Sequence, residues 1–353
     1  MNDNPHIAIL GSGLAGTFLA ARLCLEGNEV TLIDDFHPES ASGVAAGMFN
    51  VITGKFGAKS WMADELLASL QAFLEIPAFH SLSQHIRWKE IYRPFKAVRE
   101  YNKWQSRQHD PEYAHLVSFT ETPIFPTQIE NPHGGIQIHA CGWIAIQAFL
   151  ENLRGILVQN MQMRFVQEKI DYHQIDIHRK EIRLSSDILK FDRIAFCEGV
   201  RIRENPWFRG IPIIPNKGEI LLLRVEDLDL PFILSGRAYL IPHGNQEYIA
   251  GSTYHDEFRD PFPSSEGLAE IEENIRSVLK IPYTILDHRA GIRPATPDRR
   301  PIAGSHPDFP WIHIFTGFGT KGVLLAPHFS TLLAREINGE KHLLPDTVRP
   351  ARF

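Results

Sequence analysis

A strand–glycine–helix–strand pattern in the first 35 residues constrains the fold more than any other feature of this chain. Residues 6–10 (HIAIL) form a short apolar run that ends at a glycine, which is typical of a buried strand. Residues 14–27 (LAGTFLAARLCLEG) have helical spacing of apolar residues, and residues 29–35 (EVTLIDD) predict a second strand. This order predicts the first strand–helix–strand unit of a Rossmann-like nucleotide-binding fold.

Three glycines in this unit follow the GxGxxG spacing. Gly11 permits a tight turn, Gly13 lets the backbone approach a pyrophosphate, and Gly16 lets the helix pack close to the strand. N–H groups at the helix N-terminus favour phosphate there. Asp34 suits hydrogen bonds to a ribose, and its charge disfavours the 2′-phosphate of NADP. The motif leaves NAD and FAD open, and a glycine turn without a ligand is the alternative.

Composition excludes several other classes. The length of 353 residues predicts two domains, and a net charge of −6 does not favour a face for nucleic acid. The histidines show no metal-binding spacing, so we expect no metal site. Cys24, Cys141 and Cys197 lie far apart in apolar stretches and are expected to be buried, reduced thiols. The chain begins without a signal-peptide pattern and has no long apolar run, which predicts a cytoplasmic protein without a membrane span.

The remaining pattern predicts a split nucleotide-binding domain. Residues 62–76 have helical spacing, alternation over 80–135 indicates strands, and residues 211–285 alternate as in an antiparallel sheet. Residues 311–339 return to strand, glycine loop and helix. We therefore predict a nucleotide-binding domain from 1–80, 135–210 and 286–353, with a substrate-binding domain from 81–134 and 211–285.

Four segments that span almost the whole chain resemble the D-amino-acid oxidase (DAO) superfamily of FAD-dependent oxidoreductases. They are GSGLAG…TLIDD, ASGVAAGMFN, GIRPATPDRRPIAG and TGFGTKGVLLAP. Within it, AAGM and GVLLAP are similar to glycine oxidases. ASG, GW, GIRPATPD and INGE are similar to FAD modules that trim a carboxymethyl group from a tRNA wobble uridine. The resemblance implies an α/β fold, in which a Rossmann-like FAD-binding domain carries an inserted α+β substrate domain on a mixed or antiparallel sheet. No cysteine precedes TPD, so non-covalent FAD is implied.

The resemblance also implies which residues contact FAD. Those implied along the pyrophosphate and adenosine are Gly11, Ser12, Gly13, Leu14, Ala15, Gly16, Asp34, Asp35, Ser42, Val166 and Gly199. Those implied along the isoalloxazine are Ala46, Gly47, Met48, Gly319, Thr320 and Gly322.

Two charged residues are implied in catalysis. Arg293 matches an arginine that grips the substrate carboxylate, which a guanidinium can do through two parallel hydrogen bonds. Its alternative role is an ion pair with Asp298 or another carboxylate. Lys321 would place positive charge near the flavin, and its alternative is a solvated loop lysine. Weaker candidates for the pocket wall are Trp61, Tyr239, Tyr254 and His255.

The sequence thus predicts an FAD-dependent oxidoreductase that oxidises the C–N bond of a small amine or amino acid bearing a carboxylate, by hydride transfer to flavin N5. The electron acceptor would be O2 or another carrier. One alternative is an RNA-modifying flavoenzyme, for which residues 89–107 mix basic and aromatic side chains; a solvated strand face is the favoured explanation of that segment. A flavin-binding protein without turnover is a third hypothesis.

Overall fold

The computed structural model describes residues 5–54 and 57–353. The described helices are α1 (Leu14–Leu25), α2 (Ala41–Val44), α3 (Ala63–Leu74), α4 (Val98–Arg107), α5 (Ile146–Asn160), α6 (Ser265–Arg276) and α7 (Gly322–Ile337). The described strands are β1 (His6–Leu10), β2 (Glu29–Asp34), β3 (Met48–Phe49), β4 (Ile52–Thr53), β5 (Ala58–Lys59), β6 (Ile86–Trp88), β7 (Ile91–Pro94), β8 (Val117–Thr120), β9 (Gly135–Ile138), β10 (Gly142–Ile144), β11 (Arg164–Gln167), β12 (Ile175–Asp176), β13 (Glu181–Arg183), β14 (Ile188–Lys190), β15 (Arg193–Phe196), β16 (Ile214–Arg224), β17 (Ile233–Ser235), β18 (Tyr239–Gly244), β19 (Glu247–Gly251), β20 (Thr284–Ala295), β21 (Ile302–Ser305) and β22 (Ile312–Thr316).

A six-stranded sheet brings distant parts of the chain together in the order β11-β2-β1-β15-β22-β21, parallel except for β21. Its strands are apolar on both faces. Ile7 and Ile9 pack with the helices α1, α3, α5 and α7, whereas Ala8 and Leu10 pack on the opposite side with the small sheet β12-β13-β14. Because parallel strands end at one edge, the loops after β1, β2, β15 and β22 meet there.

A second, mixed sheet has eight strands in the order β20-β16-β19-β18-β17-β7-β9-β8, with only β17 and β7 parallel. Helix α6 covers one face, where Ile271 and Ile275 pack against Leu221 and Leu223 of β16. Strand β20 lies at the edge of this sheet, and the Ile292 N–H donates to the Glu39 carbonyl at 3.1 Å. That contact brings the second sheet against the loops of the first.

The predicted fold class is confirmed: a Rossmann-like α/β sheet is joined to an α+β part on a mixed sheet. The division into domains stays a prediction. Strand pairing places residues 135–138 and 286–295 in the eight-stranded sheet, although the predicted division assigned both to the nucleotide-binding domain. The reason for the second difference is that β20 continues unbroken through residue 286.

Residues 98–107 form helix α4, so the prediction of strands there was wrong. The side chain of Trp104 is buried, whereas Arg99 and Lys103 are exposed and Glu100 and Arg107 are partly exposed. The segment is rich in Arg, Lys, Glu and Gln, which favour helix. The mixed segment 89–107 therefore covers both strand β7, where Tyr92 is buried, and helix α4.

No helix in the described part of the chain is both long enough and apolar enough to cross a bilayer. Among residues 5–54 and 57–353, no three His, Cys, Asp or Glu side chains are grouped as a metal site would require. All three cysteines are free; Cys141 and Cys197 are buried, and Cys24 is partly exposed, contrary to the expectation for that residue.

Candidate flavin and substrate site

A cavity of about 1610 Å³ lies between the loop edge of the six-stranded sheet and strands β16 and β20 of the eight-stranded sheet. Its volume exceeds the roughly 300–1,000 Å³ of a pocket for a single small molecule. The sequence-predicted residues that line it are Gly11, Ser12, Gly13, Leu14, Ala15, Asp34, Asp35, Ser42, Ala46, Gly47, Met48, Gly199, Arg293, Gly319, Thr320 and Gly322. The structure therefore brings most of the predicted site together.

The glycine loop after β1 is shaped by close backbone approaches. Gly11 has φ +98°, and a Cβ there would overlap the carbonyl of Cys197 on the neighbouring strand. A Cβ at Gly16 would overlap the carbonyl oxygen of Gly11, so the glycine allows α1 to start against the turn. A Cβ at Gly13 would come within 2.9 Å of the Ser42 hydroxyl. The loop thus presents bare backbone and the positive N-terminus of α1 to the cavity.

Asp34 closes this loop from the end of β2. Its carboxylate accepts hydrogen bonds from the Ser12 N–H and, at 2.6 Å, from the Phe36 N–H. Arg154 donates to the Ser12 carbonyl at 3.2 Å and lies 5.0 Å from the centre of the Phe36 ring. Burial lowers the pKa of Arg154, and the charge of Asp34 opposes that effect. The carboxylate is therefore held at the cavity wall beside the glycine loop.

The opposite end of the cavity is formed by two further loops. The Ile144 N–H donates to the Gly47 carbonyl at 3.1 Å, and Gly47 has φ +74°. The Gly319 N–H donates to the Pro294 carbonyl at 2.9 Å, which ties the last glycine loop to the end of β20. Helix α7 begins at Gly322, so its N-terminal N–H groups lie at the cavity wall.

Arg293 lies at this end and has neutral partners in the part of the chain that the structure describes. It donates to Asn216 Oδ1 at 2.9 Å, to the Thr253 carbonyl at 3.2 Å and to Ser252 Oγ at 3.0 Å. Burial lowers the pKa of Arg293. Its alternative partner Asp298 instead pairs with Arg352 at 2.9 Å. A largely buried guanidinium without a described acidic partner is poised to receive an anion.

The family model described as "DAO: FAD dependent oxidoreductase" matches residues 6–336. This chain belongs to the DAO family of FAD-dependent oxidoreductases.

Individual relatives share the fold at low identity. The enzyme is 24% identical over 99% of its length to the tRNA 5-methylaminomethyl-2-thiouridine biosynthesis bifunctional protein MnmC of Legionella pneumophila, of which it covers 57%. It is 21% identical to glycine oxidase of Pseudomonas aeruginosa over 99% of each chain. The crystal structure of glycine oxidase from Geobacillus kaustophilus superposes with a TM-score of 0.82 at 17% identity, covering 99% of this chain and 100% of that one. The chain thus spans a little over half the length of its MnmC relatives.

The residues of this DAO-family enzyme fit FAD. The glycine cradle beside Ser42 has room for phosphate oxygens that a Cβ at Gly13 would restrict, and two helix N-termini supply N–H donors. Asp34 lies where a ribose can be bound. Cys197 lines the cavity, residues 291–298 contain no cysteine, and non-covalent binding stays a prediction.

Three predicted residues do not line the cavity. Gly16 is the third residue of α1 and packs against the turn before it. Val166 pairs with Ile33 within the sheet, and the chain lines the cavity from Glu168 to Ile170. Because β11 runs parallel to β2, the residues beyond its carboxyl end lie at the cavity edge. The contact of the Val166 backbone with adenine stays a prediction.

Lys321 is the third of these residues. Its Nζ lies 3.4 Å from the Ser60 hydroxyl, behind the glycine loop. Burial lowers the pKa of Lys321, and Arg299 adds to this effect. The described contact is therefore with the protein rather than with solvent or the cavity, and a role beside the flavin stays a prediction.

Of the weaker candidates, only Tyr239 lines the cavity. Tyr254 is 53% exposed, and its ring centre lies 5.9 Å from the Arg293 guanidinium carbon. His255 Nε2 lies 2.8 Å from a carboxylate oxygen of Glu270. Trp61 stacks on a core phenylalanine at 5.9 Å between ring centres. Trp61 and His255 thus have partners outside the cavity, whereas Tyr254 lies beside Arg293.

Glu198 lines the cavity and was missed from the sequence. Its two carboxylate oxygens lie 3.2 and 3.1 Å from the Tyr172 hydroxyl, and Asn205 Nδ2 donates to it at 3.2 Å. Burial raises the pKa of Glu198 to about 7. The position directly after β15 and before Gly199 was the available signal, because that strand end was already predicted to face the cofactor.

Proposed function

We propose that this DAO-family enzyme oxidises the C–N bond of a small amine or amino acid that carries a carboxylate, of the glycine, sarcosine or D-amino-acid type. The observation that carries the proposal is Arg293, a largely buried guanidinium at the cavity wall whose described partners are all neutral. The name of the glycine oxidase relative supports the same substrate class.

Arg293 supplies binding and orientation in this proposal. A carboxylate that pairs with its guanidinium replaces water as the compensating partner of a buried charge. Asn216, Ser252 and Thr253 hold the guanidinium from behind, so its direction is set before the substrate arrives. A fixed carboxylate limits the positions that the amine carbon can take relative to the cofactor.

Bound FAD supplies the acceptor for the hydride of the amine carbon. The chain's own contribution is to stabilise the negative charge that accompanies this transfer. The N-terminus of α7, which begins at Gly322, provides partial positive charge at the cavity wall. Tyr239 and Phe318 cover apolar parts of the wall and limit the entry of water. We assign no side chain as the proton acceptor of the substrate amine.

The test is anaerobic reduction of the flavin. FAD-loaded protein is mixed with glycine, sarcosine, other N-alkylglycines, proline and D-amino acids, and the flavin absorbance is followed. We expect at least one carboxylate-bearing amine to bleach the flavin in a saturable manner. Admitting air and assaying peroxide then tests O2 as the electron acceptor. If none of these amines reduces bound flavin, the proposed substrate class is wrong.

A second candidate function is removal of a carboxymethyl group from a tRNA wobble uridine, supported by the similarity to MnmC over 99% of this chain. The net charge of −6 weighs against binding of RNA by the whole surface. To discriminate between the two candidates, a tRNA that carries carboxymethylaminomethyluridine is used as the substrate in the same anaerobic flavin-reduction assay, at low and high salt. Salt-sensitive reduction by this tRNA, without reduction by free amino acids, would favour the second candidate.

Location in the cytoplasm stays a prediction.

A further inference from the structure

The cavity that Arg293 lines is also lined by part of residues 256–264, which we call the aromatic strap. Phe258, Pro261, Phe262 and Pro263 of this strap line the cavity. Phe258 is 36% exposed and Phe262 is 58% exposed. Two large rings therefore face an open part of the same cavity that holds the proposed carboxylate site.

Both ends of the aromatic strap are fastened to β16. At its start, Asp256 Oδ1 accepts a hydrogen bond from Asn216 Nδ2 at 3.0 Å, and the same asparagine accepts from Arg293. At its end, Ser264 donates through N–H and hydroxyl to the two carboxylate oxygens of Glu219 at 2.9 and 2.6 Å. The start of the strap is thus linked to Arg293 through the side chain of Asn216, and its end is linked to Glu219 of the same strand.

The exposed rings have an energetic consequence. Covering a water-exposed phenylalanine ring with an apolar group is favourable, and an aromatic group adds a further favourable ring–ring contact. His288 and Arg289 of β20 also line this cavity. Glycine carries only an amine and a carboxylate on one methylene, so it has no apolar group that could cover these rings.

We propose that the substrate carries an aromatic or heteroaromatic group in addition to its carboxylate-bearing amine, and that Phe258 and Phe262 pack against this group. The proposal rests on the proposed function, because it takes Arg293 as the site of the carboxylate. The strap is linked to the carboxylate site through Asn216 and Asp256. For this reason we assign the two rings to a part of the substrate and not to a separate ligand. The ring is attached either to the amine nitrogen or to the amine carbon.

Two pairs of probes test the proposal by equilibrium binding. (Methylthio)acetate and (benzylthio)acetate mimic sarcosine and N-benzylglycine with sulfur in place of nitrogen, so amine oxidation cannot interfere. Propanoate and 3-phenylpropanoate report instead on a ring attached at the amine carbon. Each probe is titrated into the FAD-loaded protein while the flavin absorbance is monitored. In at least one pair, we expect the aromatic member to bind 10-fold or more tightly than its partner.

Variants then assign the preference to the aromatic strap. Phe262→Ala and Phe258→Ala should each reduce the affinity ratio within the preferred pair by about five-fold or more. Phe262→Leu, which keeps apolar area, should reduce it less and guards against a folding defect. The matched control is Phe353→Ala, since Phe353 is 49% exposed and lies outside the cavity lining. This control should leave the ratio unchanged.

The outcomes separate this inference from the proposed function. Equal affinities within both pairs, or a preference that survives both Phe→Ala variants, would overturn the role of the strap. A strap-dependent preference, in a protein whose flavin is reduced by no amine, would support the inference and contradict the proposed function. Binding of no probe would overturn both this inference and the role of Arg293.

Discussion

At the scale of single residues, Arg293 illustrates what a motif predicts and what only the fold decides. The segment GIRP identified the residue, but the sequence left an ion pair with Asp298 open as an alternative. In the structure, Asp298 instead forms an ion pair with Arg352 near the C-terminus. The sequence could not show this pair, because the two residues are far apart in the chain. The guanidinium is thereby left with neutral partners contributed by β16 and the residues after β19.

Replacing Arg293 by Gln should weaken binding of carboxylate ligands by about 100-fold or more, because a charged hydrogen-bonded contact of about 3 kcal/mol is lost. The measurement is a titration of (methylthio)acetate into the FAD-loaded protein. Arg224→Gln is the matched control, since Arg224 lies on the same sheet, is exposed and pairs with Glu247 at 2.7 Å. Affinities within three-fold of each other in wild type and Arg293→Gln would contradict the assignment.

Glu198 should make stability depend on pH. Its pKa is raised to about 7, chiefly by burial, with Asn205, Arg201 and Tyr172 acting in the opposite direction and Glu204 in the same direction. The folded state then binds a proton that the unfolded state releases near pH 4.5, so this group lowers the free energy of unfolding as pH rises from about 4.5 to about 7.

Urea denaturation of the FAD-free protein at pH 5, 6, 7 and 8 tests this dependence. The free energy of unfolding of Glu198→Gln minus that of wild type should increase by about 1–3 kcal/mol between pH 5 and pH 7 and then level off. Taking the difference removes the contributions of other titrating groups. A difference that does not change with pH would show that Glu198 titrates normally.

At the scale of elements, local patterns predicted what local chemistry determines. The first strand, the glycine turn, α1 and β2 were predictable because their signals lie within 30 residues of each other. Helix α4 was not, since its single buried residue, Trp104, gives no helical period to recognise. The depth of β11 in the sheet depends on its pairing with β2, a non-local property, so the sequence did not show that residues 168–170 rather than Val166 line the cavity.

The glycine turn gives a sharp test at this scale. Gly16→Ala should destabilise the protein by about 2–4 kcal/mol and abolish retention of FAD, since its Cβ would overlap the carbonyl oxygen of Gly11. Gly155→Ala is the control: a Cβ there meets nothing within 4 Å, and alanine favours helix α5 by about 0.5–1 kcal/mol. Thermal unfolding and the flavin content after gel filtration measure both effects. Equal behaviour of the two variants would exclude the packing role of Gly16.

At the scale of the whole molecule, the parallel sheet explains how two distant glycine loops form one site. Strand β15 lies between β1 and β22, so the loops that follow all three strands meet at one edge. The sequence predicted this fold class because each piece has its own pattern. It could not predict the direction of Lys321 or the placement of the aromatic strap, which depend on contacts between pieces.

Because the cofactor site is built from residues far apart in the chain, FAD should stabilise the whole fold. Binding to the folded state alone adds about 2.7 kcal/mol when free FAD is at 100 times its Kd. Melting curves of protein stripped of FAD and resupplied with increasing FAD should show Tm rising with concentration. A Tm that does not respond, in protein that retains flavin, would mean that the cofactor is not held by the folded cavity.

One measurement tests the central claim, that this flavoenzyme uses Arg293 to orient a carboxylate-bearing amine. The second-order rate constant of anaerobic flavin reduction is measured for the most active carboxylate-bearing amine and for the same amine without its carboxylate. In wild type, we predict that the ratio of the two rate constants strongly favours the amine with the carboxylate. In Arg293→Gln, this ratio should fall by about 100-fold while FAD stays bound. A preference of the same size in both proteins would contradict the account.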